Sequence, residues 1–208
     1  MARIADGPAS VERREQILEA AMRVFARKGY GGATNKDIAL EAGITPGLIY
    51  HYFEDKRALF EAIFAERSPI AMSQDVLSSA DALDLDPREL LIRLVTAIAG
   101  RLESVEYGPA FRAMVGEMMR DPDMAAMFSS YTRQVVGLLG SYLQRQIERG
   151  RIRPVDPYLS AQLLFGSLVA TMMNRTIIGD AKLCSYSHEQ IATALVELSV
   201  YGLEQRAT

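Results

Sequence analysis

Apolar positions along the chain recur at helical spacing almost throughout. Ile17, Leu18, Ala21, Val24 and Phe25 fall on one face of a 3.6-residue helix, while Glu12, Arg13, Glu15 and Arg23 lie largely off it. Arg27 and Lys28 bring cations to the end of this first helix, and Gly29 stops it before a loop at Gly31 and Gly32. Thr34 and Asp37 form a capping-box pattern that opens a short second helix with Ile38, Ala39 and Ala42 as its stripe. Gly43 ends it, Ile44 plugs the turn, and Thr45-Pro46 caps and starts a third helix through Phe53. Asp55 caps a fourth, with Leu59, Phe60, Ile63 and Phe64 inward.

Beyond Ser68 the periodicity weakens until Asp86-Pro87 starts a helix through Leu90, Leu91, Leu94, Val95 and Ile98. Pro109 and Pro122 each open another; the second is long and keeps its period to Gly150. Asp156-Pro157 and the capping box Ser187-His188-Glu189-Gln190 start the last two. Sustained period-two alternation and hairpin turns are absent. The reading is an all-α fold of about nine helices.

Charge and composition narrow the possibilities. The chain is 49% hydrophobic and 24% charged, enough for a packed core. It lacks an apolar run of bilayer length and an apolar signal core, and its single cysteine, Cys184, rules out an internal disulfide. A cytoplasmic protein with no membrane partner is expected. Net charge is −3, but residues 1–57 hold nine Lys and Arg against eight Asp and Glu. Nucleic-acid binding would therefore rest on a few placed cations and backbone amides rather than on a basic field.

The two short helices, Thr34–Ala42 and Thr45–Phe53, joined by a tight turn, make a helix-turn-helix candidate. Ile38, Ile44, Ile49 and Phe53 can lock it onto the first helix, which leaves Thr45, Gly47, Leu48, Tyr50 and His51 facing outward. A short helix fits the major groove with its N-terminal residues near the bases. With two histidines, no metal-ligand cluster, no phosphate-cradling glycine loop and no nucleophile elbow, catalytic residues, metals and cofactors are not expected. A helical adaptor that binds protein through the same motif is the alternative.

The run Arg14-Glu15-Gln16-Ile17-Leu18-Glu19-Ala20-Ala21, with Phe25, Gly29-Tyr30, Thr34, Ile38-Ala39, Ala42-Gly43-Ile44-Thr45, Gly47, Ile49-Tyr50, Tyr52-Phe53 and Lys56, closely resembles the N-terminal domain of TetR/AcrR-type transcriptional regulators over about the first 60 residues. The resemblance implies a DNA-binding domain over 1–65 and an effector-binding and dimerisation domain over 66–208. It implies phosphate contacts from Thr34, Lys36 and Lys56, groove contacts from Thr45, Gly47 and Leu48, and phosphate or base contacts from Tyr50 and His51. Arg57 departs from it, standing where the family often has an acidic residue; it would weaken the helix start or add a phosphate contact.

In the C-terminal part, Phe111, Met114, Met118, Tyr131, Met172 and Met173 are candidate effector contacts; methionines at helical spacing are equally a core pattern. The last two helices combine broad apolar faces with small residues, which suits either burial within the monomer or a two-fold bundle. The resemblance favours the latter, through Leu163, Gly166, Ala170, Ile191, Leu195 and Leu198. Glu103, Glu106, Glu117 and His188 read as solvated surface. The expected function is a ligand-responsive repressor, dimeric on a palindromic double-stranded DNA operator and released by an unknown small molecule; an activator without an effector is the other form of the same reading.

Overall fold

A computed structural model describes residues 8–68, 73, 76–77 and 81–201. Among these there are helices and no strands. The weakly periodic stretch after Ser68 lies largely outside the described residues. The helices are α1 (Pro8–Gly32), α2 (Asn35–Ala42), α3 (Pro46–Tyr52), α4 (Lys56–Arg67), α5 (Pro87–Glu103), α6 (Gly108–Met118), α7 (Pro122–Glu148), α8 (Pro157–Met173), α9 (Ala181–Cys184) and α10 (His188–Val196). The short α9 is the helix that periodicity does not predict. No described helix is long and apolar enough to cross a membrane.

The chain divides into two compact units. The first takes the chain up to Ser68 together with Val105–Met124, and the second takes the rest. This differs from a boundary at 65, because α6 belongs with the N-terminal helices. α6 packs against α1 and buries Ala110, Phe111, Met114 and Val115. The face of α1 read from sequence, Ile17, Leu18, Ala21, Val24 and Phe25, is wholly buried. Its aromatic core is a chain of rings. Phe60 meets Phe25 edge-on at 5.2 Å, Phe64 at 4.9 Å and Tyr30 at 4.7 Å, and Phe64 meets Tyr107 at 6.1 Å. α1 breaks at Gly29, whose φ of 69° is open to glycine at little cost. One further helical turn extends past the break, where an open loop is expected at Gly31 and Gly32.

In the second unit α5 packs on α10 and α8. Three helix starts of this unit are fixed by the side chains expected from sequence, as are those at Thr34 and Asp55 in the first: Asp86 accepts from the Glu89 N–H, Asp156 from that of Leu159, Ser187 exchanges bonds with Gln190, and Asp55 accepts from the Ala58 N–H. α8 runs into a π turn, Asn174–Ile178, which ends at Gly179 with φ 74°. A π turn holds one residue more than an α turn and so rotates the direction in which its side chains point. Here it presents Arg175, with only 8% of its side chain exposed, to Glu103 at the end of α5. The guanidinium grips both carboxylate oxygens and also donates to the carbonyls of Leu183 and Tyr186. His188 Nε2 lies 2.7 Å from the same carboxylate. Glu103 and His188 are therefore members of a half-buried network, not the solvated residues expected. Glu117 is half-buried too, while Glu106 is exposed as read.

Candidate nucleic-acid interface and effector slot

α2 is built to hold its position. The Thr34 hydroxyl accepts from the Asp37 N–H at 3.2 Å, and the Asp37 carboxylate accepts from the Thr34 N–H at 3.1 Å. At the other end Gly43 takes φ 65°, and the Ile44 N–H reaches back to the Ala39 carbonyl at 2.9 Å. Gln16 of α1 donates to the Ala42 carbonyl at 2.6 Å. Three ion pairs add to the tie between α1 and α2: Arg23 and Arg27 on Glu41, at 2.8 and 2.6 Å, and Lys28 on Asp37, at 2.7 Å. The Lys28 ammonium and the Thr34 donors hold the Asp37 carboxyl down at about 2. A lowered carboxyl stabilises fully above its ordinary value of 3.8, so this tie persists until the pH falls towards 2.

α3 turns only two side chains fully inward at its C-terminal half, Ile49 and the adjoining Phe53. Thr45, Gly47, Tyr50 and His51 are exposed, Tyr50 by 58%, and Leu48 is half-buried. Thr34 and Lys36 at the start of α2 are exposed as well, and Lys36 pairs with no carboxylate among the described residues. Seven of the eight expected DNA-facing residues thus lie on the two short helices with some or all of their surface open. A Cβ at Gly47 would meet nothing within 4 Å, so no neighbour inside the protein requires glycine there. Thr45 holds the N-cap position but its hydroxyl makes no cap bond, contrary to expectation; Pro46 already presets the first turn.

Lys56 is placed differently. Its ammonium donates to the carbonyls of Tyr30 and Ala33, at 2.7 and 2.9 Å, and sits 4.3 Å above the Tyr30 ring. Arg57 pairs with Glu61 and with Asp123, at 3.1 and 2.9 Å, while the Asp55 cap beside it stays intact. The departure from the resemblance is thus absorbed by carboxylates of the same unit.

The second unit contains a narrow apolar slot enclosing about 40 Å³. Leu91, Val95 and Ile98 of α5, Leu138 of α7, and Leu164 and Leu168 of α8 line it, with Ser73 as a polar neighbour. None of the six expected effector residues does. Phe111 and Met114 are core residues of the first unit, and Met118 is half-buried on the same helix. Met172 is fully buried in the second unit, Met173 is half-buried, and burial pushes the Tyr131 hydroxyl up. Flexible methionines suit an adaptable site, whereas the slot is walled by branched aliphatics whose spacing matches ordinary core.

The expected association face also changes. Leu163, Ala170 and Leu198 are exposed, and Gly166 and Leu195 half-buried, but Ile191 is core, because α10 turns it inward with Ala192 and Val196. Sequence reasoning missed Leu159, which is exposed one turn before Leu163 and continues the same stripe of α8 through Gly166 and Ala170.

Comparison with known proteins decides the family. The family described as bacterial regulatory proteins, tetR family, matches residues 17–63. The AefR-like transcriptional repressor C-terminal domain matches residues 89–200, more than half of the chain. The chain belongs to the TetR family. This TetR-family protein is 27% identical over 179 residues to the HTH-type transcriptional repressor AcnR of Corynebacterium efficiens, covering 85% of this chain and 88% of that one. A TetR-family transcriptional regulator from Mesorhizobium loti superposes with a TM-score of 0.70 at 26% identity, over 93% and 97% of the two chains. The FadR regulator of Bacillus subtilis, solved with stearoyl-CoA, shares the fold with a TM-score of 0.71 at 22% identity, over 91% and 99%. A TetR-family member is a DNA-binding transcriptional regulator, and the exposed helix-turn-helix of this one lies inside the stretch that matches the family's N-terminal domain.

Proposed function

We propose that this TetR-family regulator is a homodimeric, cytoplasmic repressor whose first unit reads an operator and whose second unit binds an apolar effector and pairs with its mate. The observation that carries the reading is α3, a two-turn helix anchored by Ile49 and Phe53 with Thr45, Gly47, Tyr50 and His51 outward. Gly47 would let the helix approach base edges, and Thr34 and Lys36 at the start of α2 would hold phosphate. Two such helices on a two-fold axis would meet half-sites one helical turn apart, or a multiple of it.

Binding-site selection with the full chain should yield a palindrome. Tyr50→Ala should then weaken binding to it by about tenfold, the scale of one lost contact. Stability should stay within about 0.5 kcal/mol, since Tyr50 is exposed. Undiminished affinity would remove α3 from the interface.

The effector reading rests on the slot. Its lining favours an alkyl or aromatic group, in keeping with the stearoyl-CoA bound by a protein of the same fold. Pockets for small molecules run to about 300–1,000 Å³, far above the 40 Å³ enclosed here, so a ligand must part α5, α7 and α8. That opening is the means by which binding favours one shape of the second unit over another.

The mate would cover the exposed stripe of α8. Leu163→Glu should convert dimer to monomer in sedimentation, because the two-fold axis would bring two carboxylates into one apolar contact. A variant that stays dimeric at micromolar concentration would place the interface elsewhere.

A further inference from the structure

Lys56 occupies the position from which the family resemblance implies a phosphate contact, yet its ammonium is already engaged. Two of its three N–H directions are spent on the carbonyls of Tyr30 and Ala33, and its charge rests on the Tyr30 ring. We infer that Lys56 is a positioning residue: it latches the turn between α1 and α2 and so fixes where Thr34 and Lys36 meet DNA. The inference rests on the DNA-binding reading above and assigns Lys56 a different task within it.

The turn needs a latch. It is the last helical turn of α1, set off by the positive-φ break at Gly29, and Gly31 and Gly32 bring no side chains to stiffen it. A Cβ at either of the latter two would make only ordinary contacts, beyond 3.7 Å, so close packing does not grip them. A backbone bond beyond the helix's own closes Ala33 onto Tyr30, at 3.3 Å. The ammonium joins the carbonyls at the two ends of this stretch. The next residue is Thr34, the cap of α2.

The anchor beneath the latch is rigid. The Tyr30 ring leans on Phe25 and Phe60, 5.6 and 4.7 Å between ring centres. Lys56 itself opens α4, directly after the corner that ends α3, where Asp55 caps the helix. The bond from Lys56 therefore spans the helix-turn-helix. It ties the corner after α3 to the corner before α2, so the start of α2 and the groove-facing helix hold one spacing.

Salt dependence separates this role from a direct phosphate contact. Each phosphate a protein neutralises contributes about 0.9 to the slope of log affinity against log salt, so two heads each losing one contact would lose about 1.8. The test uses the full chain and its selected operator fragment, with Lys56→Met, which keeps the stem, and Tyr30→Leu, which removes the ring without touching charge. Lys56→Met should weaken binding by about tenfold, the cost of bonds from one charged donor, and Tyr30→Leu by about threefold, the cost of the ring beneath the ammonium, each at temperatures where circular dichroism shows it folded. The slope should stay that of the unaltered protein, and the double variant should lose little more than Lys56→Met alone. In the free protein, the Ala33 and Asp37 amides should exchange with solvent faster.

A slope lower by about 1.8 in Lys56→Met, with Ala33 exchange unchanged, would overturn the inference and restore the phosphate contact. Unchanged affinity in both folded variants would overturn it as well. Should Lys56→Met fail to fold, Tyr30→Leu carries the affinity and amide-exchange readouts, and unchanged values of both would overturn the inference. If the unaltered protein selects no DNA, the DNA-binding reading fails instead, and amide exchange in the free protein still decides whether Lys56 holds the turn.

Discussion

Phe60→Ala should destabilise the first unit by about 3–5 kcal/mol, the range for deleting a large ring from a packed core. Phe60 is fully buried and is the hub of the aromatic chain, with Phe25, Tyr30 and Phe64 all within 5.2 Å of its ring centre. Removing it forfeits transfer energy and leaves a cavity walled by rings that cannot all collapse inward. The edge-on contacts add about 0.5–1.5 kcal/mol for each pair. Domains are stable by only about 5–15 kcal/mol, so a large share of the margin would go. The expected readout in urea is a lower midpoint with the slope of the transition kept. Phe60→Leu, which refills part of the space, should lose markedly less. A loss below about 1 kcal/mol for the alanine variant would mean that the ring cluster does not hold this unit together.

Arg175→Met should cost about 3 kcal/mol in the second unit, the low end for breaking a buried pair. The low end applies because Glu103 keeps 24% of its side chain exposed. The substitution leaves the carboxylate with His188 alone and removes the side-chain donor from the carbonyls of Leu183 and Tyr186. It also carries a pH signature. The Arg175 guanidinium, ahead of the His188 bond, draws the Glu103 carboxyl below its ordinary value of 4.5. A lowered carboxyl gives its full stabilisation above that value and loses it as pH falls through the folded one. The gap between the variant and the unaltered protein should thus be widest at neutral pH and narrow below 4.5. Equal gaps at neutral pH and well below 4.5 would show that the ion pair contributes nothing, and adding Glu103→Gln should recover part of the loss by removing a charge that has lost its guanidinium.

The helices of the first unit were legible because their signals are local. Thr34 with Asp37, Gly43, Pro46 and Asp55 each act within one turn of themselves, and the face of α1 repeats at the helical period. Ion-pair and carbonyl partners were not legible, since they join residues far apart in sequence: Lys56 with Tyr30, and Arg175 with Glu103. The π turn that aims Arg175 leaves the apolar pattern of α8 intact and so gives no warning. The slot was hidden for a related reason. Leu91, Val95 and Ile98 have the spacing any core face has, and only the arrangement of three helices leaves a space beside them. Ile191 and Leu198 sit on one helical stretch with similar character, and packing alone sorts one inward and the other out.

The first unit is written in two separate pieces of the chain, up to Ser68 and again from Val105 to Met124. Suppose its reading head were exchanged with that of another regulator by a single cut after the fourth helix. Such a cut would leave behind Phe111, Met114 and Val115, the residues that shield α1 from water. The transplanted head would carry a bare greasy flank and invite clumping. A working hybrid has to move both pieces together, or repaint that flank of α1 with polar residues first.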